Sequence, residues 1–122
     1  MMQITRDGTG KSRIGTTFSG EATLTSLVTE QTPGGIKLSL VEFKDGAVTN
    51  WHTHPGEQIL YILNGKGRVG DETEAWEVGP GDVIHIAAGE NHWHGAAEGH
   101  DMSHLSLTNI GSPDWSNENP FS

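Results

Sequence analysis

A chain of 122 residues with 16 Asp and Glu against 7 Lys and Arg, a formal net charge of −9, has room for one domain core and an acidic surface that repels nucleic acid and anionic lipid. The absence of cysteine excludes disulfides and a thiolate metal site. No run approaches the roughly 18 to 20 apolar residues of a membrane span, and the start MMQITRDGTGKSR lacks the apolar stretch of a signal peptide, so a cytoplasmic setting is expected.

Seventeen glycines, five prolines and no long 3.6-period apolar run predict an all-β fold of short strands and tight turns, organised as one domain over residues 1–122. Residues 1–30, rich in Thr, Ser and Gly, read as weak strands or an arm covering a sheet edge. IKLSLVEF then alternates, with Ile36, Leu38 and Leu40 on one side and Lys37, Ser39, Val41 and Phe43 on the other. After a turn at Lys44-Asp45-Gly46, residues 49–54 and 58–63 form the next strand pair, split by Pro55-Gly56, and Asn64-Gly65 predicts a hairpin into residues 66–69. EAWEVGPGDVIHIAAGENHWHG supplies two strands around Gly79-Pro80-Gly81, and MSHLSLTN a last strand ending near Ile110. The tail, residues 111–122, is polar apart from Trp115 and Phe121, which are expected to tuck into the surface. Short strands at regular spacing predict a sandwich or barrel.

Seven histidines are many for this length, and four form two H-x-H pairs. Strand residues two apart point the same way, so His52 and His54 converge on one point, as do His92 and His94 on another strand. Three imidazoles and one oxygen ligand suit Mn, Fe, Ni or Zn and leave positions open for a substrate. A lone histidine is most often structural or at the surface; two such pairs, each beside a glycine-bounded turn, point to a metal. On the last strand His104, Ser106 and Thr108 alternate with Leu105 and Leu107. That polar stripe either faces solvent, with the leucines in the core, or faces into a barrel, where Ser39, Val41 and Phe43 line the same cavity as Ser106 and Thr108. His85 alternates with Ile84 and Ile86 and is expected outside, His100 in a loop. Trp51 and Trp93 should point away from the neighbouring histidines, into packing or onto a subunit neighbour.

The spacing of these residues resembles the two-part signature of the cupin superfamily, G-x5-H-x-H-x(3 or 4)-E-x6-G and G-x5-P-x-G-x2-H-x3-N. Gly46, His52, His54, Gln58 and Gly65 match the first part, with Gln in the acidic position; Gly81, Gly89 and His92 match the second, with Ala87 in place of Pro and Ala96 in place of Asn. The resemblance spans about residues 36–110. It implies a double-stranded β-helix, a jelly-roll-like antiparallel barrel, holding one divalent ion on His52, His54, Gln58 and His92. Glu57 competes with Gln58, but Gln58 keeps register with Gly65 and opens the apolar strand ILYIL. Three neutral imidazoles and an amide would leave the full double charge on the ion.

More narrowly, WHTHPGEQILYI, GENHWHGAA and MSHL resemble a subgroup that includes the cupin-type, manganese-dependent hydroxynitrile lyases. That likeness implies manganese, a small-molecule substrate, and His94 and His104 as acid/base catalysts. Glu57, where the subgroup has Gly, and the shorter polar tail leave the substrate open. A metal-dependent lyase is therefore the expected activity; an Fe(II)-dependent dioxygenase and a non-catalytic metal- or ligand-binding module are the alternatives the same fold allows. Small cupins usually pair through an outer sheet face, which implies a homodimer to which Trp51, Tyr61 and Trp76 would contribute apolar area.

Overall fold

The computed structural model describes residues 2–121. In chain order the strands are β1 (Lys11–Ile14), β2 (Phe18–Ser19), β3 (Ala22–Val28), β4 (Lys37–Phe43), β5 (Val48–Thr49), β6 (His52–Thr53) and β7 (Gln58–Gly65). They continue with β8 (Gly67–Gly70), β9 (Ala75–Val78), β10 (Val83–Ile86), β11 (Trp93–Ala96), β12 (Met102–Thr108) and β13 (Asp114–Trp115). All pairings are antiparallel: a six-stranded sheet ordered β1-β3-β4-β12-β7-β10, a five-stranded sheet ordered β2-β5-β11-β8-β9, and the pair β13-β6. Among the described residues there is no helix, hence none long and apolar enough to cross a membrane.

Three local expectations are corrected. The hairpin at Asn64-Gly65 is absent: β7 pairs with β12 and β10, and β8 with β11 and β9. Gly65 has φ 83°, a Cβ there would collide with the Asp101 carbonyl, and the Lys66 amide donates to that same carbonyl at 3.2 Å. The turn is thus clamped to the loop before β12 and carries the chain from one sheet to the other. Residues 49–54 do not pair with 58–63 either, because β5 lies in the five-stranded sheet and β6 pairs with β13. Nor is β12 the last strand, since β13 follows it. The turn at Gly79-Pro80-Gly81 likewise joins two sheets, β9 to β10.

Directly opposed residues in antiparallel strands share a face, so the register of the six-stranded sheet fixes its lining row by row. The lowest row is Ala22, Phe43 and Met102; the next is Leu24, Val41, His104 and Ile62; then come Ser26, Ser39, Ser106 and Leu60; the highest is Lys37, Thr108 and Gln58. The lower rows, with Ala47 and Ala96 from the opposite side, form the main core. A smaller cluster of Leu60, Val69 and Ile86 lies beside it. The stripe His104, Ser106, Thr108 therefore faces inward, and Leu105 and Leu107 face out, half-buried.

Candidate metal centre

The two H-x-H segments meet at a single antiparallel bridge. The His52 amide donates to the His92 carbonyl and the His92 amide to the His52 carbonyl, each at 3.0 Å, so the two side chains project side by side. His54 follows on the same face. The nitrogens these three buried imidazoles offer lie within 4.8 Å of one another. Gln58, at the start of β7, completes the group: its Oε1 is 3.0 Å from His92 Nε2, and its Nε2 donates to Ser106 Oγ at 2.8 Å. That serine fixes which end of the amide faces the histidines.

The backbone sets the tautomers. His52 Nδ1 lies 2.9 Å from the Asn50 carbonyl and His92 Nδ1 lies 2.8 Å from the Glu90 carbonyl, so each donates there and leaves Nε2 with a bare lone pair. His92 Nε2 and Gln58 Oε1 are then two acceptors facing one another with no proton between them. Their spacing suits neighbouring ligands of one ion, since metal–donor bonds of about 2.1 Å at right angles put the donors about 3 Å apart. His54 Nε2 is buried with no hydrogen-bond partner. An unpartnered nitrogen and two opposed lone pairs, all from neutral ligands, fit a divalent cation. Burial holds the rings neutral. It drives His52 down to about 2 and His54 down to about 4, the nearby His92 pushing each further, and it also lowers His92.

A second histidine pair adjoins the first. The His94 amide donates to Thr49 Oγ1 at 3.1 Å, and His94 Nδ1 lies 3.0 Å from His104 Nε2. One proton occupies that contact. If His104 donates it, His94 carries its own proton on Nε2; if His94 donates it, Nε2 is bare. His94 Nε2 is buried and unpartnered. Both rings are fully buried, and desolvation lowers them, His94 well below the usual range and His104 to about 4. His104 lies behind His94, its ring 5.2 Å from that of Phe43.

A cavity of about 450 Å³ opens over this group, of a size for a small molecule. Ser39, Val41, Ser106 and Thr108 line it, as do His52, His54, Gln58 and His94. Phe43 is not on its wall but in the core beneath, against the His94 and His104 rings.

The Cupin domain family (Cupin_2) matches residues 39–108. The chain belongs to the cupin family. Its relatives include an (R)-mandelonitrile lyase of Granulicella tundricola, 39% identical over an alignment of length 111 that covers 87% of this chain and 83% of that protein. The crystal structure of a cupin-like protein from Thermotoga maritima superposes with a TM-score of 0.79 at 31% identity, covering 96% of this chain and 90% of that one. A shorter likeness, 43% over 47 residues, links 35% of this chain to 28% of an acireductone dioxygenase of Rhodopseudomonas palustris.

Of the other residues singled out in the sequence, Glu57 points out of this cupin, its carboxylate 3.7 Å from His85 with both side chains largely exposed. His100 lies in an exposed loop. Trp93 is buried, edge-on to Phe121, and Trp51 is half-buried, its backbone bonded to Ser116 and Glu118. Sequence reasoning missed Thr49, Phe18, Leu24 and Trp115. Trp115 lines the cavity and stacks on His52, centroids 4.1 Å apart and planes at 27°. Its Cα partner across the β13-β6 pair is His52 itself. A lone tryptophan in a polar tail was the available signal, and it pointed to the surface rather than to the site.

Proposed function

We propose that this cupin is a manganese-dependent lyase of the hydroxynitrile lyase type, splitting a cyanohydrin into an aldehyde or ketone and hydrogen cyanide, or running the reverse addition. The observation that carries this reading is the unpartnered Nε2 of His94, buried beside the candidate metal-ligand group and backed by His104. His52, His54, Gln58 and His92 would hold the ion, which when bound supplies a Lewis acid for an oxygen or an anion.

The chain's own part is proton handling. With the shared proton donated from His94 Nδ1 to His104 Nε2, His94 Nε2 takes the proton of the substrate hydroxyl. The C–C bond breaks, the carbonyl forms, and cyanide departs with the electron pair. His94 Nε2 then returns the proton to cyanide, which balances the reaction. The Thr49 hydroxyl holds the His94 backbone in place. Phe18, Leu24 and Trp115 exclude water from one wall. A cytoplasmic setting belongs to the same reading, the chain having no cysteine to oxidise.

The test is metal analysis combined with turnover of mandelonitrile, followed by benzaldehyde absorbance. Activity that disappears on chelation and returns with manganese supports the lyase. The likeness to part of a dioxygenase supports a second reading, in which the same ligands hold Fe(II). Oxygen uptake that requires Fe(II), without cyanohydrin cleavage, would favour it. Metal loading with neither reaction would leave a binding module.

The homodimer is part of the proposal and rests on the outward face of the six-stranded sheet. Leu40, Leu105, Tyr61 and Val83 stand in one row across four strands, and Leu38, Leu107, Ile59 and His85 in the next. A second copy across a twofold axis would cover this apolar surface. Trp76 lies on the other sheet and Trp51 beside the tail, so Tyr61 alone of the three aromatics belongs to it. Light scattering should give a dimer for the native chain and a monomer for Tyr61→Glu.

A further inference from the structure

The cavity carries a charge pattern opposite to that of the molecule. Among the described residues that line it there is no Asp or Glu, although the chain has 16, while three of its seven cations are there: Lys11, Arg13 and Lys37. The register explains how they reach it. Lys11 opposes Ser26 and Arg13 opposes Leu24, so the edge strand β1 continues two lining rows with cations. Lys37 stands in the row of Thr108 and Gln58, two strands from the latter, and its ammonium is tied to the Gly111 carbonyl. Two strand spacings are about 10 Å, the reach of a small organic molecule.

Charges on the inner side of an edge strand can serve simply to stop sheets from joining. That role does not extend to Lys37, because β4 is paired on both sides.

Resting on the reading of the histidine group as a reaction centre, we propose that the substrate is an organic anion: a small hydroxy- or oxo-compound whose carboxylate sits at the mouth formed by Lys11, Arg13 and Lys37 and whose reacting end lies at the histidines. The apolar wall of Phe18, Leu24 and Trp115 would hold the body of the molecule between the two ends. In a protein of net charge −9 such a mouth also concentrates anions that the remaining surface repels.

Calorimetric titration with 4-(hydroxymethyl)benzoate, whose carboxylate and hydroxyl stand at opposite ends of the ring, and with its neutral counterpart 4-(hydroxymethyl)benzamide, on manganese-loaded and metal-free protein, tests this. The benzoate should bind about 10-fold more tightly in both forms, the combined effect of the three charges at the mouth, and the advantage should shrink as salt rises. The doubly substituted Lys11→Gln, Arg13→Gln protein should lose most of it, and Lys11→Glu with Arg13→Glu should reverse it. Both sites are exposed, so these variants should fold. Lys37→Gln is measured separately because that lysine also ties down the tail. Equal affinity for the two probes overturns the proposal. So does a benzoate advantage that needs the metal and ignores the lysine and arginine variants, since the carboxylate would then be on the ion. Failure of the lyase reading has a different signature: a benzoate preference governed by Lys11 and Arg13 in a protein that neither loads metal nor turns over substrate.

Discussion

The floor and the mouth of the barrel are built from the same strands and differ only in which residues point inward. On β4 the inward side chains run Phe43, Val41, Ser39, Lys37, and on β12 they run Met102, His104, Ser106, Thr108. Two-residue steps convert a close-packed floor into a hydroxyl-lined chamber while the β4–β12 register runs unbroken. His104 stands at the boundary, fully buried against Phe43 yet bonded to His94, which meets the cavity. The arrangement separates the residues that hold the fold from those placed to hold an ion and a substrate, and each prediction below breaks one side of that division.

The largest effect is expected at the histidine group in the chamber. His92→Ala and His54→Ala should each reduce metal content from one equivalent to near zero by elemental analysis, and abolish any metal-dependent turnover. Full occupancy in both variants would contradict the ligand group. His94→Ala should keep metal while lowering turnover by about 10²- to 10⁴-fold, the usual worth of a positioned acid or base. His104→Ala should act through His94: a smaller loss in kcat together with a displaced pH–rate profile.

At the floor the readout reverses. Phe43→Ala should cost about 3–5 kcal/mol in urea unfolding, because its ring fills the core beneath both histidines, yet the folded fraction should still take up one metal ion. Acid should also act on stability. His104 is driven from 6.5 in the unfolded chain to about 4 in the folded one, mainly by desolvation. The unfolded state therefore binds more protons between those values, so the contribution is complete above pH 6.5 and is lost as pH falls toward 4, a span worth about 3 kcal/mol. Unfolding midpoints of metal-free protein measured from pH 7 to 4.5 should decline, and His104→Leu should flatten part of that slope.

The parts of this site that were legible in the sequence obey strand parity. His52 with His54, and Gln58 rather than Glu57, follow from which way alternate side chains point. Parity could not say which side of β12 is inside, because Leu105 and Leu107 make the outer face as apolar as a core face. Turn chemistry misled for a related reason: Asn64-Gly65 specifies a tight turn, whereas the Asp101 carbonyl that turns it into a corner between sheets is 36 residues downstream. Trp115 was out of reach because its place beside His52 depends on a pairing across 63 residues of sequence, written nowhere in the composition of the tail.

The smallest effect is expected where mouth and ladder share a residue. Ser106 lies in the row between His104 and Thr108, and its hydroxyl accepts the only hydrogen bond described for the Gln58 amide NH₂. Ser106→Ala leaves the strand intact and adds no bulk, so stability should change by about 1 kcal/mol, the net worth of one hydrogen bond. Without that acceptor the amide is free to rotate, and an NH₂ turned toward His92 presents a donor where a bound ion would need an oxygen. Loss of an orienting partner behind a metal ligand typically costs about 10- to 100-fold in affinity. Competition with a chelator of known strength should therefore show manganese held about 10-fold more weakly, with stoichiometry still one. Ser106→Thr, which keeps a hydroxyl at the same point, should restore most of the loss. An unchanged affinity in Ser106→Ala would mean that the Gln58 side chain is oriented by its surroundings rather than by this bond, and that the serine row belongs to the substrate rather than to the ion.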